Sequence, residues 1–449
     1  MSGINTFIEE KVLTLAGKIA AQRHLQAIRD GLILAMPLII IGSLFLIIGF
    51  LPIPGYEEFM ARTFGEKWLD KLLYPVGTTF DIMSLLAAFG IAYRLAENYK
   101  VDALSAGAIS LSAYLLATPF VVDFMPEGAK ESIEVTGVIP TALTGSQGLF
   151  VALVIALIST EIYRFVIQKN IVIKMPPGVP PAVSRSFVAL IPGLVVILIV
   201  WLARLGIEMT SFESLHTVVK EILGKPLHAL GGTYIGTLIA SLLIVLLWAC
   251  GLHGDNIVGS VMEPIWLANM DANRIAFQAG EELPNIFTSQ FFSIFMNMGG
   301  SGTTLALVMA MFFFARSKQM KQLGKLAAPS SLFNINEPVI FGTPIVLNPI
   351  FLIPFILTPI VTVTISYVSM KTGLVAKPAG IAVPWTMPPI IGGYLATGGK
   401  VSGALLQLVN LVVSFFIYLP FFRIWDKQKL KEEKESEAVN KSSEKTFPA

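Results

Sequence analysis

Long apolar runs separated by short polar segments occur along most of the chain. A helix needs about 20 apolar residues to cross the ~30 Å hydrocarbon core of a bilayer, and most of these runs have that length. The pattern therefore predicts an all-α polytopic membrane protein. The predicted spans are residues 31–53, 77–97, 103–123, 149–168, 186–206, 231–250, 299–315, 349–370 and 401–422.

Broken segments interrupt this pattern in the second half of the chain. Residues 257–297 are only intermittently apolar and predict a loop, a re-entrant hairpin or both. Residues 328–346 predict a second hairpin because Pro338, Gly342 and Pro344 break the backbone. If 257–297 crosses once more, 380–396 must be re-entrant to keep both termini on one side. Lipid tolerates irregular backbone only inside protein or around a watery cavity, so this pattern is typical of a transporter site.

The polar segments predict the organisation of the chain. Mixed polar and apolar positions at helical spacing predict surface helices over 4–29 and 208–229. We therefore expect four regions, which are an N-terminal scaffold half (1–206), an amphipathic linker (207–230), a C-terminal transport half (231–422) and a charged, disordered tail (423–449). Through the fifth span, Lys and Arg favour the side of the N-terminus about two to one, which predicts cytoplasmic termini.

Composition narrows the class of protein further. The chain of 449 residues is 54% hydrophobic and 14% charged, with mean hydropathy +0.72, whereas soluble domains are about a quarter charged. The net charge of +2 indicates no nucleic-acid partner. The single cysteine, Cys250, excludes an intrachain disulfide and a Cys-based metal cluster. The sequence contains no phosphate-binding P-loop and no zinc-type ligand set, so we expect no metal and no cofactor.

Glu337 is the first candidate functional residue. It lies in the apolar stretch 333–344, and a charge at membrane depth costs on the order of 2.5–3.5 kcal/mol by insertion scales. Such a carboxylate normally faces a cavity and has a function there. The alternative interpretation is a short loop near the membrane surface.

His253 is the second candidate. It follows a span directly, lies between Gly251 and Gly254, and is followed by Asp255 and Asn256. A histidine paired with Glu337 could bind a hydroxyl group, because the carboxylate accepts a hydrogen bond and the imidazole can donate or accept. The alternative is a packed or interfacial histidine.

Aromatic and amide side chains near these residues favour a sugar over an ion or an apolar substrate. Trp248 precedes His253 by five residues, and Trp385 lies in another kinked stretch. Flat aromatic faces stack on the C–H faces of sugar rings, and amides bind hydroxyl groups. Membrane tryptophans often form interfacial belts instead. The amide candidates are Asn256, Asn297, Asn334 and Asn336.

Three motifs together resemble a known family. They are Trp248-Ala249-Cys250-Gly251-Leu252-His253-Gly254, Gly299-Gly300-Ser301-Gly302-Thr303-Thr304 and Asn334-Ile335-Asn336-Glu337-Pro338-Val339-Ile340-Phe341-Gly342. Over roughly residues 1–425 the chain resembles enzyme IIC (EIIC), the membrane component of bacterial phosphotransferase-system transporters, in its lactose/cellobiose/chitobiose branch.

The resemblance implies an architecture, a set of partners and a location. It implies about ten transmembrane helices, two re-entrant hairpins, interfacial amphipathic helices and a homodimer formed through the N-terminal half. The expected location is the bacterial cell membrane. The expected partners are a disaccharide and the soluble components EIIB and EIIA. EIIB carries the phosphorylated cysteine and transfers the phosphoryl group to the C6 hydroxyl, so the chain is not an enzyme on its own.

The resemblance also assigns roles to individual residues. Glu337 and His253 resemble the pair that holds the C6 hydroxyl during phosphorylation, which makes them the catalytic candidates. The further implied contacts are Asn336, Asn256 and Asn297 for hydroxyl groups, Trp248 and Trp385 for stacking, and Gly145, Ser146 and Gln147 as a turn that approaches the sugar.

Two other classes of function fit parts of the sequence. In a proton-coupled sugar transporter, Glu337, Asp255 and His253 would form a proton relay, and uptake would collapse with the proton gradient. A sensor without transport has little need of broken backbone at membrane depth, so the hairpins argue against it.

Overall fold

The computed structural model describes Lys18 and residues 21–51, 53–126, 131–176, 178–343, 345 and 348–446. It is mostly helical and divides into two compact units. The N-terminal unit contains the described residues up to Gly231 together with Gly259–Ala272. The C-terminal unit contains Gly232–Val258 and the described residues from Asn273 onward. The predicted surface helix over 4–29 lies mostly outside the described residues.

The N-terminal unit is built from antiparallel helices and one small hairpin of strands. Its elements are α1 (Arg23–Leu32), α2 (Met36–Gly49), α3 (Tyr56–Phe64), α4 (Trp68–Leu72), α5 (Tyr74–Phe80), α6 (Met83–Asn98), α7 (Ala103–Ala117), β1 (Val121–Phe124), β2 (Ile133–Thr136), α8 (Thr141–Thr144), α9 (Leu149–Gln168), α10 (Pro181–Glu208), α11 (Leu215–Val219) and α12 (Lys225–Gly231).

Helix α6 lies at the centre of the N-terminal unit, where it packs against α1, α7 and α9. Its crossing with α1 is close because both helices carry a glycine at the contact. A Cβ atom on Gly31 would lie 2.4 Å from the backbone nitrogen of Ile91, and one on Gly90 would lie 2.7 Å from the carbonyl oxygen of Gly31. The backbones of α1 and α6 can therefore approach this closely only because Gly31 and Gly90 have no side chains.

Two short strands change one predicted span of this mostly helical protein. Residues 103–123 do not form one span, because α7 ends at Ala117 and β1 begins at Val121. Strand β1 pairs with β2 in antiparallel register, with Val121 opposite Thr136. β-Branched residues of high β propensity in this otherwise polar segment, such as Val121, Val122 and Val135, favour the extended form.

The C-terminal unit contains longer helices joined by irregular segments. Its helices are α13 (Tyr234–Ala249), α14 (Gly254–Gln278), α15 (Leu305–Phe314), α16 (Lys318–Leu332), α17 (Glu337–Gly342), α18 (Pro349–Lys371), α19 (Ile391–Ala396) and α20 (Val401–Thr446), and a π-helical turn covers Phe291–Met296. Helix α20 packs against α15 and α18 and forms the core of the unit. The middle of α14, Gly259–Ala272, belongs to the N-terminal unit.

Helix α14 covers residues 257–278 of the segment 257–297, which was predicted to be a loop, a re-entrant hairpin or both. Polar side chains of this helix, among them Asn273 and Arg274, are buried inside protein, so its polarity does not indicate a position in solvent. Asn273 donates to the carbonyl oxygens of Asn285 and Pro378, at 2.7 Å each, and Arg274 donates to Gln278 at 2.8 Å. These satisfied polar groups lower the mean hydropathy without breaking the helix.

The prediction of a disordered tail from residue 423 is wrong for the described residues, which continue α20 to Thr446. Asp426 and Glu433 accept hydrogen bonds from the beginning of α16. The partners of Asp426 are about 110 residues away in the sequence. A search for apolar periodicity could not detect such contacts, because they are polar and distant.

Among the described residues, six helices are long and apolar enough to cross a membrane, or seven if Leu215–Gly231 and Tyr234–Ala249 form one broken span. Shorter apolar helices are Ala103–Ala117 and Leu305–Phe314. The chain is therefore a mostly helical, polytopic membrane protein. Helix α9 has the predicted bounds of the fourth span, whereas α15 begins only at Leu305 because residues 299–304 form turns.

The contact between α1 and α6 predicts the effect of a small substitution. We expect Gly31→Ala to reduce stability by about 1–3 kcal/mol, because the added methyl group overlaps the backbone at Ile91. Thermal unfolding of the purified protein in detergent measures this effect as a lower midpoint. Gly206→Ala in α10 is the matched control, since its Cβ would meet no atom within 4 Å. Equal midpoints for the two variants would contradict the predicted overlap.

Candidate functional site

Asp255 joins three segments of the C-terminal unit. Its carboxylate lies in the first turn of α14. It accepts a hydrogen bond from the indole Nε1 of Trp248 at 2.7 Å, a second from Nδ2 of Asn297 at 3.0 Å, and a third from the hydroxyl of Ser301. The end of α13, the start of α14 and the glycine-rich loop 299–304 are therefore tied to one side chain.

His253 precedes α14 and caps its first turn. Its Nδ1 accepts a hydrogen bond from the backbone N–H of Asn256 at 3.3 Å, and its ring lies 4.4 Å from the ring of Trp248 between centroids. Because Nδ1 is the acceptor, the neutral imidazole carries its proton on Nε2. The side chain is exposed, so Nε2–H can donate to a ligand.

The glycine-rich loop 299–304 adopts left-handed backbone at Gly299, Gly300, Gly302 and Thr303. Gly300 also lies against a side chain, since a Cβ there would be 2.4 Å from Cγ of Asn336. Asn336 is buried, and its Nδ2 donates to the carbonyl oxygen of Ser301 at 3.0 Å. The loop therefore connects Asp255, through Ser301, to the residue immediately before Glu337.

Asn334 ties the same loop to a third segment. Its Oδ1 accepts from the backbone N–H of Gly299 at 2.7 Å, and its Nδ2 donates to the carbonyl oxygens of Trp385 and Met387 at 2.6 and 3.0 Å. The residue itself has φ of 63°, a left-handed conformation that asparagine tolerates better than most residues. One buried amide thus binds three main-chain groups in two other segments.

Glu337 is the first residue of α17 and is exposed. Among the described residues its carboxylate has no hydrogen-bond or ion-pair partner, in contrast to the buried Asn336 beside it. Glu337 and His253 do not contact each other directly within the described part of the chain. They are joined through Asp255, Ser301 and Asn336. Both members of the predicted pair are therefore open to a ligand.

The two candidate tryptophans have different surroundings. Trp385 is 55% exposed, and its backbone is fixed by Asn334. Trp248 is 4% exposed, and its indole contacts His253 and Asp255. In this structure the face of Trp385 is open to a ligand, whereas Trp248 supports the neighbouring imidazole.

The remaining candidates are distributed over both units. Asn256 is exposed in the first turn of α14, and Asn297 uses its Nδ2 on Asp255 while its Oδ1 is buried without a partner among the described residues. The predicted turn belongs to the N-terminal unit, where the hydroxyl of Ser84 donates to the carbonyl oxygen of Gly145. Within that turn, Ser146 is buried and Gln147 is exposed.

The sequence matches the family "Phosphotransferase system, EIIC" over residues 29–359, which is more than half of the chain. The chain belongs to the phosphotransferase-system EIIC family. EIIC proteins are the transport subunits of this system, and phosphorylation is carried out with a separate EIIB. The comparisons give no support to the proton-coupled alternative.

Relatives of this EIIC chain cover nearly its whole length. The "Lichenan permease IIC component" of Bacillus subtilis (strain 168) is 69% identical over 98% of this chain and 97% of that protein. The "PTS system cellobiose-specific EIIC component" of Geobacillus stearothermophilus is 64% identical over 96% of each. The crystal structure of ChbC, the IIC component of an N,N'-diacetylchitobiose-specific system, has a TM-score of 0.92 at 61% identity, covering 95% of this chain and 99% of that one.

Sequence reasoning gave other roles to the residues that organise this EIIC site. It named Asn334 as an amide candidate for hydroxyl groups, Asp255 as a member of the alternative proton relay, and Ser301 only as part of a glycine-rich motif. The available signal was proximity, since Asp255 follows His253 by two positions and Asn334 precedes Glu337 by three. Which partners their side chains reach depends on the fold.

The three hydrogen bonds at Asp255 predict the cost of removing its charge. Asp255→Asn should destabilise this EIIC protein by about 1.5–3 kcal/mol, the usual contribution of hydrogen bonds to a charged group. An amide cannot accept on both sides, because donors face Oδ1 and Oδ2 alike. Thermal unfolding in detergent measures the change, and Asp70→Asn, at an exposed position of α4, is the control. An equal midpoint for the two variants would show that the hydrogen bonds of Asp255 do not stabilise the fold.

Proposed function

We propose that this chain binds a disaccharide of the cellobiose, chitobiose or lactose class and carries it across the bacterial membrane by alternating access. In this proposal it presents the C6 hydroxyl of the sugar to phosphorylated EIIB. The observation that supports the proposal most strongly is the pair of exposed side chains, His253 and Glu337, on a polar network that is otherwise buried. The names of the relatives support the class of sugar.

The two exposed groups are complementary to a hydroxyl group. Glu337 can accept the hydroxyl proton in a hydrogen bond, and the Nε2–H of His253 can donate to the same oxygen. A hydroxyl held this way keeps a lone pair free for attack. Asn336 and Asp255, which are neighbours of the two groups in the sequence, are linked through Ser301.

The phosphoryl step follows from the same arrangement. The C6 oxygen attacks phosphorus, the new O–P bond forms, and the P–S bond to the EIIB cysteine breaks. The hydroxyl proton passes toward Glu337 as the oxygen loses its electron density to phosphorus. General-base assistance of this kind contributes about 10²–10⁴-fold to a rate.

Further contacts complete the proposed sugar site. The exposed face of Trp385 suits the apolar face of a sugar ring. Asn256 and Asn336 lie beside the two central residues and can bind other hydroxyl groups, and the free Oδ1 of Asn297 is a further acceptor.

The finer architecture is part of this proposal. We assign about ten membrane-crossing helices, of which the six long ones, the bent pair and the two shorter apolar helices account for nine. The irregular segments before α15 and around α17 are assigned as the two re-entrant hairpins, which would bring their turns to the site. A homodimer through the N-terminal unit and cytoplasmic termini complete the assignment.

Binding and uptake of a sugar panel test the proposed function. Purified protein should bind cellobiose, chitobiose or lactose, and vesicle uptake should require phosphoenolpyruvate and the soluble phosphocarriers. The imported sugar should be recovered as its 6-phosphate. Uptake of free sugar that stops when the proton gradient is dissipated would favour the secondary transporter instead.

Glu337→Gln tests the contact with the C6 hydroxyl. The variant keeps the shape and one acceptor but loses the charge, and charged hydrogen bonds are worth about 1.5–3 kcal/mol against about 1 for neutral ones. Affinity for the bound disaccharide should fall on the order of tenfold, and phosphorylation by EIIB should fall at least as much. Isothermal titration and single-turnover assays measure the two effects.

The matching 6-deoxy sugar makes this test specific. It lacks the hydroxyl, so Glu337→Gln should cost it little. Glu281→Gln, an exposed residue of the same unit, should change neither affinity. If Glu337→Gln weakens the parent and 6-deoxy sugars equally, Glu337 does not bind the C6 hydroxyl.

A further inference from the structure

Helices α15 and α16 form an antiparallel hairpin with the candidate site at its open end. The two helices pack closely along their length, since a Cβ on Gly324 would lie 2.8 Å from Cβ of Met311. At the open end, Gly299 and Ser301 before α15 bind Asn334 and Asn336 after α16. At the closed end, residues 315–317 connect the helices.

The closed end is held by a carboxylate from another helix. Asp426 of α20 is 4% exposed. Its Oδ2 accepts from the backbone N–H of Arg316 at 2.8 Å, and its Oδ1 accepts from the N–H and the hydroxyl of Ser317 at 3.0 and 2.8 Å. A buried negative charge is therefore satisfied by the bend of the hairpin and the positive end of α16.

A second carboxylate of α20 extends this contact. Glu433 accepts from the backbone N–H groups of Lys318 and Gln319 at 3.0 and 2.9 Å. Asp426 and Glu433 are seven residues apart and so lie on one face of α20. The ammonium of Lys318 also binds Glu437 at 2.7 Å, and this hydrogen bond raises the pKa of Lys318.

Helix α16 has few groups of its own that can accept hydrogen bonds from the free N–H groups of its first turn. Its first turn contains no acidic residue, and its N-cap, Ser317, accepts only from the N–H of Met320 at 3.3 Å. The other free N–H groups at this end are satisfied by α20. Helix α16 has 15 residues and is ~22 Å long at 1.5 Å per residue, so the contact lies far from the turn that carries Glu337.

We infer that the C-terminal part of α20 is a clasp on this hairpin, in which Asp426 and Glu433 are positioning residues for the site at the open end. A rigid, closely packed helix pair transmits the position of its bend to its ends. The clasp therefore fixes Asn334, Asn336 and Glu337 from a distance, without touching a ligand.

Amide hydrogen exchange tests the clasp without any sugar. Asp426→Asn should raise exchange on the order of fivefold or more at the closed end, residues 315–321, and also at the open end, residues 299–305 and 332–338. Glu435→Gln is the matched control, since this exposed residue of α20 forms an ion pair with Lys431 and none with α16 among the described residues. Where Asp426→Asn folds poorly, the less buried Glu433→Gln gives the same comparison. Exchange that rises only at the closed end overturns the inference.

A charge swap separates a clasp from a simple helix cap. In the triple variant Ser317→Asp/Asp426→Ser/Glu433→Gln, α16 carries its own capping carboxylate, but neither positioning carboxylate of α20 remains. The clasp predicts normal exchange at the closed end and raised exchange at the open end. Recovery at both ends would show that capping alone is sufficient and would overturn the clasp.

Sugar affinity connects the clasp to the proposed function, on which this last readout rests. Cellobiose affinity should fall about tenfold in Asp426→Asn and stay low in the swap variant, while Glu435→Gln binds like wild type. A wild-type protein that binds no disaccharide would refute the proposed function and leave the exchange result standing. Equal affinity of wild type and Asp426→Asn would refute the clasp alone.

Discussion

The three hydrogen bonds that converge on Asp255 are the interaction on which the rest of the site depends. The Trp248 indole holds the carboxylate from α13 and supports His253, while Ser301 links it to Asn336. A partly buried carboxylate loses some of its hydration, and hydrogen-bond donors compensate for that loss. The three donors on Asp255 therefore stabilise the arrangement that brings the separate turns together.

The site combines a fixed polar interior with an open polar surface. Asn334 and Asn336 are buried and use their amides on main-chain groups. His253, Glu337 and Trp385 are exposed beside them. Groups held in place before a ligand arrives lose little conformational freedom on binding, which favours affinity and orientation together. Buried residues thus determine where the exposed ones stand.

The sequence predicts the elements whose physics is local and misses those whose partners are distant. Helix α9 was predictable to its bounds because a mainly apolar run lies between the turn-rich segment 144–148 and the polar residues Lys169 and Asn170. Helix α14 was missed because Asn273 and other polar side chains find partners within the fold, and α20 was cut short because Asp426 binds a turn 110 residues away. Glu337 and His253 were recognisable as costly groups among apolar neighbours. The hydrogen-bonded residues that lie between Glu337 and His253 could not be predicted, because their contacts depend on side-chain geometry.

The way in which Asn334 holds the segment at 385–387 has a consequence for evolution. In this segment the Nδ2 group of Asn334 binds only carbonyl oxygens, and every amino acid has a carbonyl oxygen in its main chain. The side chains at Trp385 and Met387 are therefore free to vary while the turn keeps its place. Relatives that are 61–69% identical carry the names of different sugars, and a turn anchored by its backbone lets specificity drift by single substitutions without a new fold.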